Sequence, residues 1–249
     1  MNGRRLYLGC AGWTLGREYW PEFASVGSHL QRYAGRLNAV EINSAFYRPH
    51  RPATYARWAA SVGQGFRFAV KVPKAITHEQ RLQGSSALLE AFLSQCSALG
   101  ERLGCLLVQL PPSLAFDPDA AQAFFRTLRA QYPGDVVLEP RHESWAEAGD
   151  LLVSYRIAQA VVDPSRLSTD TRPGGWQGVR YWRLHGTPRL YYSAYEDNWL
   201  EHLAQQIEAS LADGVPTWCI FDNTARGAAV GNALFMGRLL ELAGSPATP

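Results

Sequence analysis

Glu139-Pro140-Arg141-His142 closes the apolar run Val136-Val137-Leu138, and sets a carboxylate, a guanidinium and an imidazole side by side. Other apolar runs end in the same kind of chemistry, at Glu41 and Asn43, Lys71, Gln109, Asp163, Arg183 and His185, and Asp222 and Asn223. A partly desolvated carboxylate near cations can be tuned for general acid or base work, which makes Glu41 and Glu139 the candidate carboxylates. His142 and His185 are the candidate proton shuttles, because imidazole titrates near neutral pH. Arg141, Arg183 and Lys71 together suit an anion clamp, since guanidinium forks match carboxylate or phosphate. Lys71 could also form an imine if its pKa were depressed, but neighbouring Glu and Arg pull that pKa in opposite directions and favour anion binding. Asn43, His78, Gln109, Asp163 and Asn223 are candidate ligand contacts, and Trp13 and Trp145 belong to a set of loop aromatics that could collar a mouth. The bland alternative is an internal lattice in which Glu41 and Glu139 merely neutralise Lys71 and the arginines.

Such residues need strands that end on a common rim. Eight apolar runs read as strands, at 6–10, 39–43, 66–72, 105–110, 136–138, 158–163, 179–185 and 217–222. Amphipathic helices alternate with them. Leu30, Tyr33, Ala34 and Leu37 show the i, i+3, i+4, i+7 stripe, and Tyr55, Trp58, Ala59 and Val62 repeat it. Further helices are expected at 85–103, from Asp117-Pro118 to before Pro133, around Leu151 to Tyr155, at 197–212 and at 225–242. The stretch 164–178 carries Pro and Gly but no apolar stripe, so the sixth crossover helix is expected to be short or missing. This alternation predicts one α/β domain over 1–249, a (β/α)8 TIM-type barrel. An open doubly wound sheet is the structural alternative, but Gly9-Cys10-Ala11-Gly12-Trp13 lacks the third glycine of a dinucleotide turn. By the two-residue strand period, Val40 and Ile42 face the helices while Glu41 and Asn43 face inward; Lys71, Glu139, Arg141, Arg183 and His185 follow the same logic.

The motifs GCAGW (9–13), VEINSAFYRP (40–49), FRFAVKVPKAITH (66–78), QLPP (109–112), EPRHESW (139–145), RLHG (183–186) and Asp222-Asn223 before AAVGNA (228–233) carry a resemblance. Together they resemble the YecE-like family, domain of unknown function 72, from end to end. The resemblance implies a TIM-type barrel and no particular activity. Two positions depart from the family's usual pattern: Asp222, where a second Asn is common, and Ala45, where Thr is common.

Composition narrows the partners. Twenty-four basic and 22 acidic residues give a formal charge of +2, with no basic run beyond Arg4-Arg5, which argues against nucleic acid. No apolar run approaches the ~18 residues of a membrane span or the ~7–15 of a signal peptide, so a cytoplasmic protein is expected. Cys10, Cys96, Cys105 and Cys219 lack CxxC spacing and read as buried thiols. No HxH or HExxH spacing is present and three cations interleave the acids, so no cofactor is predicted. The expected activity is metal-independent acid/base chemistry on a small anionic substrate such as a sugar or nucleoside phosphate, by a hydrolase, lyase or isomerase. The alternatives are a divalent-metal-dependent phosphoesterase or isomerase and a non-catalytic module binding a small molecule or nucleic acid. The sequence leaves the oligomeric state open.

Overall fold

The computed structural model describes residues 5–165, 167 and 171–240. Its strands are β1 (Leu6–Cys10), β2 (Ala39–Ile42), β3 (Arg67–Lys71), β4 (Leu103–Gln109), β5 (Asp135–Glu139), β6 (Ile157–Gln159), β7 (Val161–Asp163), β8 (Gly174–Gly175), β9 (Arg180–Leu184) and β10 (Thr217–Phe221). Hydrogen bonding runs in the order β7-β9-β10-β1-β2-β3-β4-β5-β6-β8. The ends of that order meet, because β6 and β7 are halves of one stretch broken at Ala160. β6 pairs with β5 and β7 pairs with β9, all in parallel. The result is the expected eight-stave α/β barrel, its sixth stave split in two.

Helices α1 (His29–Ala34), α2 (Ser44–Tyr47), α3 (Pro52–Ala60), α4 (Ser86–Cys96), α5 (Pro118–Gln131), α6 (Gly149–Ser154), α7 (Asp197–Ala212) and α8 (Ala228–Leu239) complete the domain. α5 starts as its sequence dictates, with Asp117 accepting from the amides of Asp119 and Ala120 and Pro118 at the first helical position. The helix expected at 85–103 is shorter. α4 stops at Cys96 and a 3-10 stretch Ser97–Arg102 follows, with Gly100 at φ 55°, outside helical space. The expected end of the last helix near Leu242 lies outside the described residues. Among the described residues between β7 and β9 there is no helix. Instead Gly174 and Gly175 run antiparallel beside Gln159 and Ala158.

The wall separates two apolar layers. Leu8, Val40, Ile42, Phe68, Val70, Leu106, Leu138, Trp182 and Phe221 face the helices. Ala39, Ala69, Cys105, Leu107, Val137, Ala158, Tyr181, Trp218 and Ile220 fill the barrel. Small Ala residues on three staves leave room for Trp218, which stacks on Tyr181 at 5.8 Å and tilts against Tyr7 at 4.6 Å. A Cβ on Gly104 would come within 2.4 Å of the Trp218 ring, so that position must stay bare. The four cysteines are buried and free, and burial pushes the Cys10 thiol up to about 12.

The joint between β1 and β2 has a short ladder, Gly9 with Ala39 and Cys10 with Val40. Side chains extend it. Asn38 accepts from Leu8 N–H at 2.8 Å and donates to Leu6 C=O at 2.7 Å. The Tyr33 hydroxyl, fully buried, accepts from Cys10 N–H at 2.7 Å and donates to Ala39 C=O at 2.8 Å. Tyr33→Phe strands both backbone groups, at an expected cost of about 1–3 kcal/mol in urea unfolding. A loss under about 0.5 kcal/mol would show that water replaces the hydroxyl.

Candidate active site at the barrel mouth

Strand parity delivers one polar layer above the aromatic floor. Arg183 on β9 lies at its centre, 1% exposed. Its Nε donates to Glu41 Oε2 at 3.0 Å, its Nη1 to Glu139 Oε2 at 3.0 Å, and its Nη2 reaches Glu41 Oε1 at 2.7 Å and Asp222 Oδ2 at 2.9 Å. Every nitrogen of the guanidinium is therefore committed to a carboxylate. Glu41, fully buried, also accepts from the Tyr181 hydroxyl at 2.7 Å. Glu139 Oε1 accepts from Gln109 Nε2 at 2.8 Å and from Arg141 Nε at 2.9 Å. Burial alone would raise the Glu139 pKa, but Arg183, His185 and Arg141 outweigh it and hold the carboxyl well below its usual range. Asp222 is likewise held low, its burial offset by Arg183 and His185.

His185 spans the carboxylates at 2% exposure. Its Nδ1 lies 3.0 Å from Asp222 Oδ2 and its Nε2 3.3 Å from Glu139 Oε1. Burial pulls its pKa down, but Glu139 and the bond to Asp222 prevail over that and over Arg183, and the net shift is upward. The ring thus holds a proton more readily than free histidine, with an orienting carboxylate on one nitrogen and an ionised one at the other.

Lys71 differs from its neighbours. It is 7% exposed, and its Nζ sits 4.0 Å from the centroid of the Phe46 ring, a cation–π contact. Among the described residues it makes no hydrogen bond and no ion pair. Burial and then Arg183 lower its pKa to about 8, against the pull of Glu41, Glu139 and Asp222. Three carboxylates, Glu41, Glu139 and Asp222, therefore face four groups able to carry positive charge: Lys71, Arg141, Arg183 and His185.

The loop after β9 roofs this layer. Tyr191, at φ 67°, accepts from Arg141 Nη2 at 3.3 Å and sets its ring edge-on to His185 at 5.3 Å. Beneath it, the cavity among Glu139, Arg141, His185 and Leu190 measures about 10 Å³, room for a single water.

The structure thus gathers Glu41, Lys71, Gln109, Glu139, Arg141, Arg183 and His185 in one place. Asn43 stands at the edge, its Nδ2 3.5 Å from Asp222 Oδ1. His78 is there too, edge-on to Phe46 at 5.0 Å, its pKa lowered by burial, Lys71 and Arg141. Other expected contacts lie elsewhere. Trp13 packs edge-on against Trp58 of α3 at 5.1 Å. Trp145 is 2% exposed and donates to Leu114 C=O at 2.9 Å, which fastens the loop after β4. His142 accepts from Ser144 N–H to begin the following 3-10 turn. Asn223 braces the roof, donating to Ser193 C=O and Asn232 Oδ1, both at 2.8 Å. Asp163 corrects the expectation of a common inward set. Val162 faces the barrel interior, so its neighbour Asp163 points outward with Trp182 and Leu184. Sequence reasoning named Asp222 at a strand end without giving it a role and omitted Tyr181, although both share the inward parity of their strands.

Comparison with known proteins identifies the chain. The model of the family described as protein of unknown function DUF72 matches residues 7–249. The chain belongs to the DUF72 family. It is 30% identical over 171 residues to the UPF0759 protein YecE of Escherichia coli strain K12, and 30% over 148 residues to that of strain O157:H7. These matches cover 68% and 58% of this chain but 60% and 52% of those relatives, so it spans only part of their length. Crystal structures of DUF72 proteins share the fold. One from Enterococcus faecalis V583 gives a TM-score of 0.79 at 21% identity, covering 98% of both chains. One from Thermotoga maritima MSB8 gives 0.77 at 25% identity, covering 95% of this chain and 99% of that one. In this DUF72 chain no described helix is long and apolar enough to cross a membrane.

Proposed function

We propose that this DUF72 protein is an enzyme that admits a small anionic molecule, of the sugar-phosphate or nucleoside-phosphate kind, to the barrel mouth. There it acts by acid/base chemistry that needs no metal. The observation that carries this reading is Lys71, a nearly buried ammonium whose donors have no acceptor among the described residues. Burying such a charge costs free energy that an incoming anion would recover. Arg183 does not serve as a clamp in this scheme, since its donors are spent on Glu41, Glu139 and Asp222. Its part is to hold those carboxylates in place and to keep Glu139 and Asp222 ionised. His185 then moves the proton, with Asp222 orienting Nδ1 and Glu139 beside Nε2. Arg141, partly exposed, supplies a second positive contact once Tyr191 swings aside.

A panel of anionic metabolites, screened by thermal shift against the wild type and Lys71→Met, tests the reading. At least one anion is expected to stabilise the wild type at pH 7 and to fail with Lys71→Met. Affinity should fall as pH rises through about 8, where Lys71 loses its proton. Without ligand, Lys71→Met is expected to be more stable than the wild type by roughly 2 kcal/mol, because an unpaired buried charge is gone. A variant that binds the same anions with unchanged affinity would refute the role of Lys71, and no stabilising anion at all would refute the substrate class.

A further inference from the structure

The chain contains 22 arginines and only two lysines, Lys71 and Lys74. The two lysines sit in opposite settings. Lys74 is exposed and pairs with Glu79 at 3.0 Å. Lys71, on β3, is 7% exposed and has no hydrogen bond or ion pair among the described residues. Holding an anion does not require lysine, because a guanidinium serves that purpose at least as well and Arg141 already stands at the mouth. What lysine supplies and arginine cannot is an amine that sheds its proton and attacks a carbonyl.

The surroundings suit that use. An amine paired with a carboxylate would stay protonated and blocked. Here the oxygens of Glu41, Glu139 and Asp222 bond to Arg183, Arg141, His185 and Tyr181 instead. With burial and Arg183 lowering the Lys71 pKa to about 8, roughly a tenth of it is free amine at pH 7. A proton carrier lies on the same aromatic ring. Phe46 carries Lys71 Nζ 4.0 Å from its centroid and meets the His78 ring edge-on at 5.0 Å. His78 Nδ1 lies 2.9 Å from the Thr77 hydroxyl, while its Nε2 has no partner among the described residues. Burial, Lys71 and Arg141 lower the His78 pKa, which keeps this ring neutral at pH 7 and able to accept a proton.

We propose that Lys71 forms an imine with an aldehyde or ketone that carries an anionic group, with His78 moving the protons. This rests on the anion-binding reading of the mouth and narrows its substrate to carbonyl compounds. The ammonium releases one proton through His78 to solvent, and the freed nitrogen pair attacks the carbonyl carbon. A C–N bond forms as the C=O π pair moves to oxygen. That oxygen takes a second proton from nitrogen, giving a carbinolamine. His78 then returns a proton to the hydroxyl, the C–O bond breaks, water leaves and the nitrogen pair closes C=N. One ammonium and one carbonyl become one iminium and one water, with charge conserved. The iminium draws electrons from the neighbouring carbon, which serves lyase or isomerase chemistry rather than hydrolysis.

The test is reductive trapping on the wild-type chain. Glyoxylate, an aldehyde with a carboxylate, is incubated with the protein and sodium cyanoborohydride at pH 7. Hydride adds to the iminium carbon, and tandem mass spectrometry reads the secondary amine left at each lysine, with Lys74 as internal reference. Lys71 is expected to be trapped at least about tenfold faster than Lys74. His78→Gln should slow Lys71 by about tenfold or more and leave Lys74 unchanged. Excess glycolate, which has an alcohol in place of the aldehyde, should occupy the mouth and slow Lys71 alone. A Lys71 trapped no faster than Lys74 overturns the imine, even where glycolate binds. An unchanged Lys71 rate in His78→Gln overturns the part given to His78. Selective trapping that glycolate leaves untouched would retain the imine but overturn its anionic group, and with it the reading of the mouth.

Discussion

Arg183→Met is expected to cost at least about 5 kcal/mol, a large share of the roughly 5–15 kcal/mol that domains of this kind hold in total. The side chain is 1% exposed and contacts three carboxylates, so its loss leaves Glu41, Glu139 and Asp222 with far less compensation. Breaking one buried pair costs about 3–5 kcal/mol, and pairs that share a partner do not add in full. Glu139 would keep Gln109, Arg141 and His185, and Asp222 would keep His185. Among the described residues Glu41 would keep only the hydrogen bond from the Tyr181 hydroxyl, and it sets the size of the loss. Arg183→Lys should rescue little, because a point charge cannot span carboxylates on opposite staves. The pH dependence gives a signed check. Glu139 and Asp222 have folded pKa values below their unfolded ones, so their contribution is present above about pH 4 and lost as pH falls through the folded values. The stability gap between wild type and variant should therefore narrow in acid. Urea unfolding from pH 7 down to pH 3 measures this, and a gap under about 1 kcal/mol at pH 7 would show that Arg183 is not the hub.

His185→Gln carries the other large effect. On the anion found by screening, it is expected to lower kcat by about 10²–10⁴-fold while changing affinity less than about tenfold. Glutamine can still bond to Asp222 but cannot relay a proton, so chemistry should suffer and positioning survive. The raised pKa sets the sign of the pH profile. If the imidazolium is the acid, kcat falls as pH rises through that value, which lies above the ordinary histidine value of about 6.5. The same shift favours the folded state, a contribution fully present below about pH 6.5 and lost as pH rises through the folded value. A variant with normal kcat and raised KM would assign His185 to binding alone.

The barrel and most of the polar layer at its mouth were legible because polar and apolar residues alternate on the strands that matter. Val40-Glu41-Ile42 and Trp182-Arg183-Leu184-His185 each declare which face meets the helices, and the structure follows both. Asp163 was misplaced because Ala158 to Val162 is nearly all apolar, so nothing along that run distinguishes its faces. The break at Ala160 was hidden for the same reason, since it shows only in pairing partners. Trp13, Trp145 and Asn223 were assigned by type and by position near strand ends. Type alone does not tell a ring that meets a ligand from one that fastens a loop, as Trp145 does on Leu114. The saturation of Arg183 was beyond the sequence too, since its partners come from strands up to 142 positions away.

The alternation along β9 also governs where the chain can change length. Substitutions at Trp182 or Arg183 alter one compartment at a time. Deleting or inserting a single residue within Arg180–Leu184 would turn the remainder of the strand over, carrying the indole into the barrel and the guanidinium toward α7. Evolution and the protein engineer can thus edit this strand letter by letter but cannot shift its reading. Drift in length is left to segments such as 171–179, where the chain crosses between staves without a helix.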